Sequence, residues 1–166
     1  MSGAKVHQVE FDASKESLHI LRTKQPKGDG FKILGISFDT KLVMYEAVVS
    51  IVGECGSRLK MLLRVRPFYS IRALVGLYKC HILSFIESGT PAYYHAAPSI
   101  LNMLDSVQND FLEVLGISKR EASIHFNLAP LNSRRDIAML GVLHKIVLGV
   151  APAPFQTLFK GKVNVI

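Results

Sequence analysis

Hydrophobic positions along this chain follow two different periods, and the switch between them divides it. From Phe31 to Asp39 apolar and polar residues alternate, and Leu34, Ile36 and Phe38 fall to one face, as a half-buried strand requires. Val6 to Phe11 and Leu18 to Arg22 read as two further short strands, and the turn-rich Gln25-Pro26-Lys27-Gly28-Asp29-Gly30 separates them from that run. Helix competes over Asp12 to Leu21, because Ser14, Lys15 and Glu16 are poor strand formers.

From Lys41 the period becomes helical. Val48, Ile51, Val52, Cys55, Leu59, Leu62 and Leu63 recur at steps of three and four, which marks one face of a helix that Pro67 ends or kinks. Ile71, Leu74, Val75, Tyr78, Ile82, Phe85 and Ile86 define a second helix, with Gly89 and Pro91 as stop signals. A third is predicted along Ile100, Leu104, Val107, Phe111 and Leu115, with Ser99 as N-cap and Gly116 as terminator. Ser118 and Glu121 form a capping-box pattern that opens a short fourth helix. Asn132 or Ser133 would cap a fifth along Ile137, Leu140, His144 and Val147, closed by Gly149. The expected fold is therefore mainly α. A short N-terminal β segment, residues 1–40, precedes a bundle of about five helices, residues 41–166.

Composition sharpens this picture. With 166 residues the chain can bury roughly 70% of the surface its unfolded form exposes. Its hydrophobic fraction of 49% and mean hydropathy of +0.26 are high for a chain of net charge +7. Apolar surface left over for a partner, or for a second copy, follows from that excess. The charge is uneven: no Lys or Arg lies between Lys79 and Lys119, where Glu87, Asp105, Asp110 and Glu113 fall. An anionic partner for the basic first half is the natural inference. Ser57, Lys60 and Arg64 share the face opposite the apolar stripe of the first helix, and Arg66 and Arg72 flank Pro67. Cations so placed can neutralise successive phosphates without reading sequence; the alternative is an ordinary solvated helix face. Phe68, Tyr69 and Tyr78, interleaved with Arg66, Arg72 and Lys79, have the make-up of a stacking surface or, for Tyr78, of core.

Other chemistries find little support. Cys55 and Cys80 read as buried reduced thiols, and His7, His19, His81, His95, His125 and His144 show no zinc-binding spacing. No nucleophile motif organises the Ser, His and Asp residues. The start, Met1 to Phe11, lacks a signal-peptide core. The most apolar window, Ile137 to Val150, is interrupted by His144-Lys145 and is too short to span a bilayer. A cytoplasmic or nuclear protein without membrane contact is the expectation.

A series of short motifs adds a resemblance. Phe11-Asp12-Ala13-Ser14-Lys15-Glu16-Ser17 comes first, then Phe31-Lys32-Ile33-Leu34-Gly35-Ile36-Ser37-Phe38-Asp39. Leu77-Tyr78-Lys79, Ile86-Glu87-Ser88-Gly89, Leu104-Asp105-Ser106-Val107-Gln108-Asn109 and Leu128-Ala129-Pro130-Leu131 with Arg134-Arg135-Asp136 follow. In this order and spacing, from about Val9 to Phe159, they resemble the palm end and helical thumb of reverse transcriptases from non-LTR (LINE-type) retrotransposons. Asp12 stands where that family usually has asparagine. The resemblance implies a hairpin holding the primer end at Lys32 and Gly35, and Lys15 near an incoming nucleotide. It also implies a thumb gripping template–primer duplex through Lys60, Arg64, Arg66, Arg72 and Lys79. The family's paired metal-binding aspartates have no counterpart, because no adjacent Asp-Asp pair exists in the chain. Two-metal phosphoryl transfer needs clustered carboxylates. The expectation is a fragment that does not polymerise by itself, needs no cofactor, and would meet Mg2+ only within a longer parent enzyme that supplies the fingers and palm. A helical protein–protein interaction module, or the inactive product of a decayed element, is the alternative.

Overall fold

In a computed structural model of the chain, which describes residues 30–152 together with Leu21 and Phe155, the alternating run folds back on itself. Strands β1 (Phe31–Ile33) and β2 (Ile36–Phe38) form a two-stranded antiparallel hairpin with Phe31 opposite Phe38 and Ile33 opposite Ile36. The Phe31 and Phe38 rings stack at 5.3 Å, a cross-strand pair of the kind that holds register. Leu34 and Gly35 make the two-residue turn with φ of 50° and 83°. Two successive positive φ values give the primed turn whose twist matches its strands. Leu34 is accordingly 98% exposed and does not share a face with Ile36 and Phe38, which corrects the single-strand pattern. Asp39 ends the hairpin by accepting the Lys41 and Val43 N–H groups, both at 3.0 Å. Apart from Leu21, the proposed strands before residue 30, the competing helix over Asp12 to Leu21, and Lys15 lie outside the described residues.

The chain divides after Val43 into two compact units, and the second, from Met44 onward, carries the helices. They are α1 (Tyr45–Arg64), α2 (Ile71–Tyr78), α3 (Ser84–Tyr93), α4 (Pro98–Leu115), α5 (Lys119–Phe126) and α6 (Leu131–Val147). A π-helical turn, Lys79–Leu83, joins α2 to α3 without a break, so the two form one rod and the bundle has five helices among the described residues. The mainly α class with a short hairpin is therefore confirmed.

The core follows the apolar stripes. Val48, Ile51, Cys55 and Leu59 of α1 are buried, as are Leu74, Tyr78, Ile82 and Ile86 of the rod and Leu104, Val107 and Phe111 of α4. The Tyr78 and Phe111 rings stack at 4.2 Å between the rod and α4. The Cys55 thiol is fully buried, and desolvation pushes it up to about 11; Cys80 is exposed, so only one of the two expected buried thiols is buried. α6 is held differently. Arg135, 5% exposed, makes a two-pronged pair with Asp105 of α4 at 2.6 and 3.0 Å, and Arg134 pairs with Glu87 of α3 at 2.5 Å. Tyr94 donates to Asp136 at 3.1 Å.

Three helix boundaries depart from the sequence pattern. The rod runs through Gly89 and Pro91 to Tyr93. Pro91 removes one donor without ending the helix, and near that end buried Tyr93 donates its hydroxyl to the Ile86 carbonyl. Tyr93 is the last residue of α3 and Tyr94 its C-cap. α4 begins at Pro98, whose fixed φ suits the first helical position, so Ser99 is inside the helix rather than its cap. α6 begins at buried Leu131, one residue ahead of the expected caps; Asn132 instead accepts the Ser133 N–H at 2.8 Å. Gly116 (φ 68°) closes α4 as expected.

The capping box of α5 forms with both arms. Glu121 N–H reaches the Ser118 hydroxyl at 3.2 Å, and the Ser118 hydroxyl and N–H donate to the Glu121 carboxylate at 2.7 and 2.8 Å. These donors hold the Glu121 carboxyl below its ordinary value of 4.5. A carboxyl lowered by folding contributes stability above its unfolded pKa and loses it as pH falls through the folded value. Replacing Glu121→Gln should therefore lower the melting temperature by a constant amount above about pH 4.5, with the difference shrinking at more acid pH. Thermal melts of both proteins across that range check this.

Candidate nucleic-acid interface

The basic residues singled out by sequence sort into three groups. Lys60 and Arg64 are exposed on α1, four residues apart and so about 6 Å from each other at Cβ. Arg66 opens the 3₁₀ turn Arg66–Phe68, and Arg72 is the second residue of α2; both are exposed. Pro67 sets this turn by ending α1, and Ser70 starts α2 by accepting the Ala73 N–H at 3.3 Å. α1 and α2 thereby meet in a tight corner carrying Lys60, Arg64, Arg66 and Arg72. None of the four side chains has a hydrogen bond or ion pair with another described residue. No Asp or Glu occurs between Glu54 and Glu87, and Glu54 is already paired with Arg58 at 3.1 Å. The corner also displays Phe68, 82% exposed, and Tyr69, about half exposed, instead of burying them.

Lys79 stands apart. Its Nζ donates to the Phe126 carbonyl at 2.5 Å, so the ammonium ties the rod to the C-terminal end of α5, where a cation also meets the negative pole of that helix. Tyr78 is fully buried, as the core reading has it. Lys32 and Gly35 lie in the hairpin, in the unit that ends at Val43, and Lys15 lies outside the described residues. Gly35 owes its place to φ of 83°, and a Cβ there would meet nothing within 4 Å. Its glycine character therefore follows from the turn and not from close approach of another backbone.

Sequence pattern missed Arg58. Its guanidinium pairs with Glu54, donates to the His81 carbonyl at 2.8 Å and lies 4.1 Å over the Phe85 ring. Only the number of basic residues on α1 hinted at it. No metal site accompanies the corner: among the described residues no three His, Cys, Asp or Glu side chains converge to hold an ion. No helix among them is long and apolar enough to cross a membrane.

The chain matches no known family model, no curated protein and no solved structure.

Lys79 and the corner cations should separate in experiment. Lys79→Met should cost about 1.5–3 kcal/mol in urea unfolding, the range for a hydrogen bond to a charged group, and leave nucleic-acid affinity unchanged. Equilibrium unfolding and duplex binding of the same variant measure both.

Proposed function

We propose that the chain is a non-catalytic module that holds nucleic-acid duplex by its phosphates at the α1–α2 corner. The observation that carries this is the set of four exposed cations, Lys60, Arg64, Arg66 and Arg72, in a stretch with no carboxylate to neutralise them. A solvated face gains nothing from excluding acids over so long a span. A polyanion-binding face does, because each acid would repel the phosphates that the cations attract. Exposed Phe68 and Tyr69 add flat apolar surface for sugars or bases. The ordered resemblance to the palm end and thumb of a non-LTR reverse transcriptase supports the same reading. On it, template–primer duplex is the ligand, and the hairpin with Lys32 and Gly35 belongs to the part that steadies a primer end. Polymerisation would then need aspartates from a longer parent.

Four phosphate contacts give a slope of log K against log salt of about −3.6 on B-form DNA. Filter binding of a short duplex across a salt series should return a value near that. Each substitution of Arg64, Arg66 or Arg72 by Gln should flatten it by about 0.9. Binding that does not weaken with salt contradicts phosphate-led contact.

A second reading has its own observation. The outer side of α6 and the segment after it expose Ile137, Leu140, Val147, Leu148 and Val150, each more than half exposed, a stripe suited to another protein surface or a second copy. Light scattering after size exclusion tests it: a dimer that Leu140→Glu dissociates and duplex leaves untouched supports an interaction module.

A further inference from the structure

Beside the corner runs a groove of about 360 Å3, bounded by Arg58, Met61 and Leu62 of α1 and by Leu77, His81 and Ile82 of the rod. We propose that this groove seats a single unpaired nucleobase whose strand continues across the basic corner; the inference rests on the phosphate-binding reading above and extends it.

Shape and polarity select the occupant. Met61, Leu62, Leu77 and Ile82 offer apolar walls from two helices, as a flat ring with two apolar faces requires. The volume lies at the small end of ligand cavities, which run from roughly 300 to 1,000 Å3, and suits one base rather than an extended ligand. Only two of the lining residues are polar: exposed His81, whose imidazole has no hydrogen bond to a described residue, and Arg58, whose guanidinium is already held by Glu54 and the His81 carbonyl. A base needs hydrogen-bonding groups at its rim and none over its faces. Met61 forms the exposed lip, and its flexible thioether adapts to aromatic rings.

Charge then distinguishes a nucleotide from an uncharged aromatic molecule or an apolar peptide. Arg64 lies one helical turn beyond Met61 along α1, where it can meet a phosphate attached to a base in the groove. No Asp or Glu lines the groove. The π-helical turn contributes His81 and Ile82, and such turns recur at functional sites because they re-aim side chains off the α-helical register. A paired base cannot enter, since its faces are stacked and its edge is occupied. The groove therefore favours a duplex with a single-stranded extension over a blunt one.

Fluorescence anisotropy with the full chain tests this using three labelled probes: a blunt DNA duplex, the same duplex with a thymidine overhang, and that overhang made abasic. Stacking contributions per base predict that the thymidine overhang binds about fivefold or more tightly than the abasic one. Met61→Ala and His81→Ala, both at exposed positions, should shrink that ratio and leave blunt-duplex binding unchanged. Equal affinity of the wild-type protein for the two overhangs overturns the base seat while salt-sensitive blunt-duplex binding leaves the corner intact. Failure to bind any of the three removes both.

Discussion

Everything at the candidate interface depends on how α1 is clamped to the rod at its π-helical turn. A π turn takes carbonyls out of the α-helical ladder, and side chains complete it here. Arg58 donates to the His81 carbonyl at 2.8 Å and the Ser84 hydroxyl to the Cys80 carbonyl at 2.5 Å, while Lys79 reaches outward to the Phe126 carbonyl. Arg58 alone joins three features, since it also pairs with Glu54 and covers the Phe85 ring. A charge-assisted hydrogen bond contributes about 1.5–3 kcal/mol and a cation–π contact about 0.5–2 kcal/mol, enough to fix the separation of the two helices. That separation sets the groove, and with Pro67 and Ser70 it sets the corner.

The basic residues of this region are therefore not equivalent. Arg58 spends its donors on the Glu54 carboxylate and the His81 carbonyl, and Lys79 donates to the Phe126 carbonyl. Lys60, Arg64, Arg66 and Arg72 keep theirs for solvent or a ligand. On the opposite side of the charge balance, Glu87 and Asp105 are neutralised by Arg134 and Arg135, which fasten α6. Acid-rich and acid-free stretches thus do different physical work: the first closes the bundle by ion pairs, the second leaves a cationic edge. α6, held by these pairs and a thin apolar stripe, retains an apolar outer surface.

Much of the fold was legible because short-range chemistry and burial agree. The stripe of Val48, Ile51, Cys55 and Leu59 is both helical in spacing and buried, and Ser118 with Glu121 caps α5 by a mechanism contained in four residues. Illegible features depend on distant partners. Pro91 looks like a terminator, yet the helix runs through it to Tyr93, whose hydroxyl reaches back to the Ile86 carbonyl. Leu34 fits an alternating strand until its positive φ places it in a turn. For the site, the outward placement of Lys60 and Arg64 follows from helical geometry alone. The diversion of Lys79 depends on α5, far along the chain, and the exposure of Phe68 depends on a turn that buries none of its own residues. The groove was invisible because it is a gap between two helices.

The central claim is that the α1–α2 corner meets nucleic acid. Backbone amide resonances followed by NMR while duplex is titrated into the labelled protein test it most directly. The account predicts shifts concentrated from Lys60 to Arg72, with α6 unmoved. Perturbation centred on Ile137 to Val147, or none at saturating duplex, would contradict it.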